Sequence, residues 1–316
     1  MVITIKKTIG LYFKFCTLSI CMCLFYGCLS DKNNDQKVVS VAINNNNLEQ
    51  NLNKDETLLT IRVVVSSMLS PIETRVIYQE LFQYMSKKLR YDIEFIQRKS
   101  YQEVNDLLIQ NKVDLALICS GAYIEDNLKG HAKILVVPLN NKKPYYKSYI
   151  IVNSESGIKK LSDLEYKRFA FTDPLSNSGT LYTKYLLKKM SKTPEKYFSK
   201  TIYSYGHDIS MQLVAKGIVD GASVDALIYN YNKVFYPEKI KYLTIIDSSA
   251  DFGIPPLVIP NELDKNVETK LRNFFLNIDK DSVGIKILNK LLIDGFAIGY
   301  DSNYNSIRLM NKTLKE

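Results

Sequence analysis

Thr172-Asp173-Pro174-Leu175-Ser176-Asn177-Ser178-Gly179-Thr180 joins two segments whose side chains repeat with different periods. Before it, Phe169-Ala170-Phe171 reads as a short apolar strand; after it, residues 181–190 carry the spacing of an amphipathic helix. The strand therefore ends, the chain turns at Asp173-Pro174, and a helix starts on hydroxyl and amide side chains. A helix start presents unpaired backbone N–H groups and the positive end of the macrodipole. Ser176, Ser178 and Thr180 add hydroxyl donors, Asn177 adds an amide, and Gly179 lets a ligand approach the backbone closely. The stretch predicts a site for a small oxyanion, built without a cationic side chain. The alternative is that Ser176 serves only as a helix N-cap.

The same alternation of periods extends outward. Residues 59–66 are apolar and β-branched, a strand. Residues 72–89 carry Ile77, Leu81, Tyr84, Met85 and Leu89 at helical spacing. A strand at 93–96, a helix at 101–110 with Val104, Leu107 and Leu108 inward, and a buried strand at 113–118 follow. This rhythm predicts a parallel, doubly wound α/β sheet. Gln110-Asn111-Lys112-Val113-Asp114-Leu115-Ala116-Leu117 is echoed by Ala215-Lys216-Gly217-Ile218-Val219-Asp220-Gly221-Ala222. In each, a helix stops at Asn or Gly and an Asp precedes a buried strand. The echo predicts two lobes whose strand ends face one cleft. Residues 146–152 and 243–259 would be the crossings, the second with Pro255 and Pro256. Helices at 267–278 and 283–293 would then complete the first lobe.

At the N-terminus, Lys6 and Lys7 precede an apolar run over residues 9–25 that closes on Gly27-Cys28. That order is a secretory signal, and a small residue before Cys28 predicts a lipoprotein signal with lipid on Cys28. Phe25 and Tyr26 depart from the usual residues before such a cysteine, so an uncleaved anchor stays open. Of the 5 cysteines, Cys16, Cys21 and Cys23 lie in the signal. Only Cys119 remains in the folded part, which excludes a disulfide there. Residues 29–57 are polar and Asn-rich and read as a flexible tether, roughly 30 Å in mean span if they behave as a coil. The net charge of +9 suits anions or acidic lipid. Without an Arg-rich stripe or basic-aromatic interleaving, nucleic acid is not an expected partner. No His, Cys and carboxylate grouping has metal-ligand spacing, and no cofactor is expected.

Upstream of the opening stretch lie Pro144-Tyr145-Tyr146-Lys147-Ser148-Tyr149-Ile150-Ile151-Val152, Ser156-Gly157-Ile158 and Leu161-Ser162-Asp163-Leu164. Downstream lie Gly206-His207-Asp208 and Val219-Asp220-Gly221-Ala222-Ser223-Val224-Asp225. In this order the chain resembles the phosphonate-, phosphite- and phosphate-binding proteins of ABC transporters, from about residue 60 to residue 310. The resemblance implies a two-lobed, type II periplasmic-binding-protein fold: two doubly wound sheets joined by a two-strand hinge. It implies a first lobe of residues 58–148 plus 254–316 and a second lobe of 149–253. It also implies an extracytoplasmic, lipid-anchored, monomeric protein that meets membrane permease subunits. Ligand contacts would come from Tyr101, Tyr123, Ser176, Asn177, Ser178, Gly179, Thr180, His207 and Asp225. Asn177 stands where the family usually has Thr, which leaves the choice of oxyanion open. His207 would donate to the ligand and gain charge in doing so, or else be a loop histidine. Asp225 makes sense beside an anion that carries a proton or an amine, and it could equally cap the helix that starts at Ala226. Ser178, His207 and Asp225 could be imagined as a catalytic triad, but no Gly-x-Ser-x-Gly elbow is present and no enzyme is expected. A sensor module for a signalling partner is the alternative to transport, because it needs the same closing cleft.

Overall fold

The computed structural model describes residues 41–42, 58–125 and 128–316. Cys28, the signal sequence and most of the predicted tether lie outside the described residues. Two sheets and the helices that cover them form the fold. The first has seven strands in the order 41–42, 92–96, 60–65, 115–117, 257–260, 132–139 and 295–297. Strand Thr60–Val65 pairs in parallel with Asp92–Ile96 and Leu115–Leu117, as the β-α-β-α-β rhythm requires. Leu257–Pro260 returns antiparallel between Leu115–Leu117 and Ala132–Leu139, so the sheet is mixed rather than wholly parallel. Val41–Ala42 pairs antiparallel with Phe95 and Glu94 at the edge. This β-branched stretch was expected within the tether; an open sheet edge gives its backbone partners.

The second sheet has five strands in the order 243–248, 148–153, 221–225, 168–171 and 200–203. Arg168–Phe171 lies between Gly221–Asp225 and Lys200–Tyr203, parallel to both. Between the sheets, Tyr145–Tyr146 pairs antiparallel with Phe252–Gly253, a two-strand ribbon at the crossings.

Helices Pro71–Leu89, Lys265–Asn277 and Ser282–Leu291 cover the first sheet, with Leu81, Phe82, Met85, Leu271, Phe275 and Ile287 in its core. In the second lobe, Phe169, Phe171, Leu187, Tyr197 and Phe198 form a core that is rich in aromatic rings. The last helix, Asn305–Lys315, lies in the segment 254–316 that the resemblance assigns to the first lobe. Instead its buried Ile307 and Met310 join this second core, alongside Tyr182 and Leu187. Its strongly amphipathic face explains this: the apolar stripe is buried where an apolar partner is exposed.

Candidate functional site

The opening stretch is a strand-to-helix turn. Leu175 N–H donates to Asp173 Oδ1 at 2.8 Å, and Ser176 N–H donates to the Asp173 carbonyl at 2.9 Å. Ser176 caps the helix by accepting Gly179 N–H at 2.9 Å. Residues Asn177–Leu181 then make one wide π-type turn before the regular helix Tyr182–Lys189. Gly179 is required by close packing: a methyl group there would meet the Ser176 hydroxyl at 2.9 Å and overlap Thr172. The Ser178 carbonyl accepts hydroxyls of both Ser148 and Ser223 at 2.6 Å. The turn is thus pinned to two strands of the second sheet. Thr180 Oγ1 donates to the Asp173 carbonyl at 2.8 Å. All five residues from Ser176 to Thr180 are buried.

Pinned this tightly, the turn still leaves polar atoms unused. Ser178 Oγ and Asn177 Oδ1 are buried without a partner. The Asn177 amide instead donates to Tyr146 OH at 3.0 Å. The Tyr101 hydroxyl, Ser66 Oγ and His207 Nε2 are in the same condition. Buried polar groups are nearly always hydrogen-bonded, so each exception calls for a reason. Among the described residues seven such side-chain atoms occur, and these five lie at strand ends, helix starts and the turn just described. No buried Lys or Arg accompanies them among the described residues.

Hydrogen bonds between the lobes bring these segments together. Asp173 Oδ2 accepts Tyr101 N–H at 3.0 Å, at the start of helix Tyr101–Ile109. Asp208 Oδ1 accepts Ser70 N–H at 2.9 Å, at the start of helix Pro71–Leu89. Two carboxylates of the second lobe therefore sit on two helix N-termini of the first, where the macrodipole favours negative charge. The His207 N–H donates to the Met68 carbonyl at 2.9 Å. At Gly121 the backbone of the first lobe lies so close to the turn that a methyl group would sit 2.7 Å from Asn177 N. The lobes are closed on one another.

His207 is the first residue of helix His207–Ala215 and is wholly buried. Its Nδ1 accepts the Asp225 N–H at 3.1 Å and lies 3.0 Å from Thr172 Oγ1. An accepting Nδ1 puts the ring proton of the neutral imidazole on Nε2, the atom without a partner. Burial lowers the pKa to about 3. The ring is therefore a neutral donor of fixed tautomer, not the charge-gaining group expected. Tyr101 has its phenol pushed well above its ordinary value by burial, so it too stays a donor. Asp225 is buried at the end of strand Gly221–Asp225, and its Oδ1 accepts Leu227 N–H at 2.7 Å. It does cap helix Ala226–Phe235. Burial raises its carboxyl to about 7, so near neutrality it is partly protonated.

Tyr123 is placed elsewhere. Its hydroxyl donates to Asp301 Oδ1 at 2.8 Å, and its ring packs on Tyr304 at 4.6 Å. Asp301 and the nearby Arg308 occupy that phenol, which corrects its reading as a ligand contact. Ser66, which the sequence reading does not single out, adds an unpaired hydroxyl to the same group of atoms. Ser66 follows the strand Thr60–Val65 directly, and a hydroxyl at a strand end was the signal that could have found it.

Two α/β lobes, joined by a ribbon and closed over buried unpaired donors, define a two-lobed protein of the type II periplasmic-binding-protein fold. Residues 63–304 match the family model for the periplasmic substrate-binding protein of phosphonate ABC transporters, and the chain belongs to that family. It is similar to the phosphonates-binding periplasmic protein of Escherichia coli, with 29% identity over 215 residues, covering 66% of this chain and 63% of that one. It is also 29% identical over 163 residues to the phosphate-import protein PhnD of Mycolicibacterium smegmatis, covering 48% of this chain and 50% of that one. The matches thus span between half and just under two thirds of these relatives. The crystal structure of a binding protein component of an ABC phosphonate transporter from Pseudomonas aeruginosa aligns with a TM-score of 0.77 and 25% identity, over 82% of this chain and 87% of that one.

Proposed function

We propose that this protein is the extracytoplasmic solute-binding component of an ABC transporter and that it binds a phosphorus oxyanion between its lobes. The observation that carries this reading is the set of unpaired buried donors, with no buried Lys or Arg among the described residues. Ser66, Tyr101, Ser178 and His207 Nε2 can donate to a tetrahedral oxyanion that would otherwise need water. Ser176, Gly179 and Thr180 hold the turn in shape. Asn177, in the place usually held by Thr, gives its amide N–H to Tyr146 OH and so braces the turn against the crossing ribbon. Enclosure between lobes excludes water and strengthens each of these bonds.

Asp225 is the discriminating residue. A donor-free dianion would meet its carboxylate uncompensated, whereas a protonated phosphate, or a phosphonate carrying a proton or an amine, offers it a donor. Holding the oxyanion rather than transforming it is supported by the ring geometry. His207 Nδ1 takes a main-chain N–H, and the Asp225 carboxylate takes Leu227 N–H, so the acid does not orient the imidazole as a triad acid would. Lipid on Cys28 would hold the monomer at the outer membrane face, within reach of permease subunits. The test is calorimetry of the purified protein with phosphate, phosphite, methylphosphonate, 2-aminoethylphosphonate and sulfate. Binding of one or more phosphorus oxyanions in preference to sulfate is expected, and binding of none of them overturns the reading.

A further inference from the structure

The start of helix Pro71–Leu89 belongs to the first lobe, yet its polar groups are held by the second. The N-cap residue Ser70 makes no cap with its side chain, and its N–H donates to Asp208 Oδ1 at 2.9 Å. Just before it, the Met68 carbonyl takes the His207 N–H. In the first turn, Glu73 pairs with Lys239 of the second lobe at 3.0 Å. The start of helix Tyr101–Ile109 is held in the same way. Tyr101 N–H donates to Asp173 Oδ2 at 3.0 Å, and Lys99 Nζ lies 5.6 Å from the centre of the Tyr205 ring.

Asp173 and Asp208 are 1% and 6% exposed. A buried carboxylate needs compensation. Here main-chain N–H groups and helix macrodipoles supply it, and those belong to the opposite lobe. Asp173 also accepts Leu175 N–H within its own turn. Among the described residues the Asp208 carboxylate makes its hydrogen bond only across the lobes. Both acids stand beside the oxyanion donors. Asp208 directly follows His207, whose Nε2 is unpaired, and Asp173 opens the turn that carries Ser178. Coulomb repulsion alone would make each of them weaken anion binding. Their contacts across the lobes act with the opposite sign, because only the closed form supplies those N–H partners. Removing Asp208 leaves Ser70 N–H without its acceptor in that form alone, and a loss confined to one state shifts the balance between two.

We propose, on the basis of the oxyanion reading above, that Asp173 and Asp208 latch the lobes and are positioning residues that the ligand does not touch. They favour the closed form whatever oxyanion is held. They therefore raise the affinity for every ligand by one common factor and choose among none of them. Glu73 and Lys239 reinforce the latch weakly, since both are about one-third exposed and open to screening by salt.

Asp208→Ala isolates the latch, because Asp173 also shapes its own turn. Calorimetry and stopped-flow dissociation of the full protein with inorganic phosphate, phosphite and methylphosphonate test it. The dissociation constant should rise about tenfold or more, by the same factor for each ligand that binds. Faster dissociation should carry most of the change. Asp208→Asn keeps an oxygen that can accept Ser70 N–H, so it should lose less. Glu73→Gln should weaken binding by about fivefold at most, and the difference should vanish at high salt. A thermal melt of each ligand-free variant shows that it is folded. Unchanged or tighter binding in both Asp208 variants overturns the proposal, since repulsion would then outweigh any latch. Factors that differ between ligands also overturn it, because a residue that selects is touching the ligand. If the wild type binds none of the three, the oxyanion reading fails, and small-angle scattering of the ligand-free proteins decides the latch by itself. A larger radius of gyration in Asp208→Ala than in wild type supports it, and equal radii overturn it.

Discussion

In the first lobe Arg62 donates to Asp114 through its main-chain N–H, Nε and Nη2, and Nη2 also reaches the Asn111 carbonyl. In the second lobe Arg168 makes the same bonds to Asp220 and to the Gly217 carbonyl. Asn111 and Gly217 both end a helix in the left-handed conformation, at φ 52° and 66°. The spacing is constant: 62 to 168, 114 to 220 and 111 to 217 are each 106 positions apart. At that same spacing Tyr101 matches His207, Ser66 matches Thr172, and Cys119 matches Asp225. The lobes are therefore one pattern used twice, with the same clamp at one end of the strands. At the other end the chemistry differs. Tyr101 and His207 each open a nine-residue helix and each keep a donor free. Cys119 is a buried thiol pushed up to about 11, while its counterpart Asp225 sits at about 7. The scaffold is the same in both copies, and the histidine and the carboxylate stand only in the second.

That asymmetry is broken most strongly by pH. Asp225 is held above its unfolded value, so the folded state binds its proton more tightly. Its contribution is intact below about 4 and is lost as pH rises through about 7. His207 is held below its unfolded value, so its penalty is present at low pH and is relieved as pH rises from about 3 to the ordinary histidine range. Between about 4 and 6.5 the contributions of these two groups oppose one another. His207→Gln should unmask a fall in stability with rising pH, and Asp225→Asn should unmask a rise. A tenfold difference in proton affinity between the folded and unfolded states is worth about 1.4 kcal/mol, so each slope should amount to several kcal/mol across its window. Denaturant unfolding at a series of pH values measures both. Slopes of the same sign in the two variants would refute the assignment.

Ser178→Ala tests the second lobe's donors more narrowly. It removes a hydroxyl that pairs with nothing among the described residues, so stability should hold. Losing a hydrogen bond to a charged ligand should cost about 1.5–3 kcal/mol, or roughly 10–150-fold in affinity. Calorimetry with the tightest-binding oxyanion and a thermal melt separate the two. An unchanged affinity would remove the turn from the site.

Tyr101→Phe asks whether the first lobe contributes in kind. Its hydroxyl is likewise buried and unpaired, so the variant should be as stable as wild type or up to about 1 kcal/mol more so. Affinity should fall about tenfold or more, the low end of the range for a bond to a charged group. Full affinity would mean that the repeat at 101 and 207 is structural only.

The turn at 172–180 was legible because it writes its signal locally. A change of period, a Pro, a Gly and four hydroxyls fall within nine residues. His207 and Asp225 were singled out through the family pattern, and the echo at 110–117 and 215–222 exposed one of the matched helix ends. What was not legible depends on distance along the chain. Nothing near Tyr123 shows that its phenol will be claimed by Asp301, 178 residues later. With 22 tyrosines present, a Gly-containing turn before one of them was too weak a sign. Asp173 and Asp208 looked like ordinary turn and helix-start acids, and only the closed lobes reveal them as caps on helices of the other lobe. The final helix buries Ile307 and Met310 in the second core, which the assignment of 254–316 to the first lobe did not foresee.

The clamps should show the smallest effects, and their symmetry makes them informative. Arg62 and Arg168 keep 36% and 46% of their side chains exposed, so solvent screens both ion pairs and neither contributes much to stability. Their larger role is to tie the start of one strand to the loop before another, 52 residues away. Arg62→Met and Arg168→Met should each lower the melting temperature slightly and to a similar degree, because the bonds lost are the same in number and kind. Ligand affinity should stay at the wild-type value in both, since the clamps lie at the strand ends opposite the donors. A loss of affinity in Arg168→Met comparable to that in Ser178→Ala would show that the second lobe's scaffold and site are coupled. The separation of kept scaffold from altered chemistry would then hold in the first lobe alone.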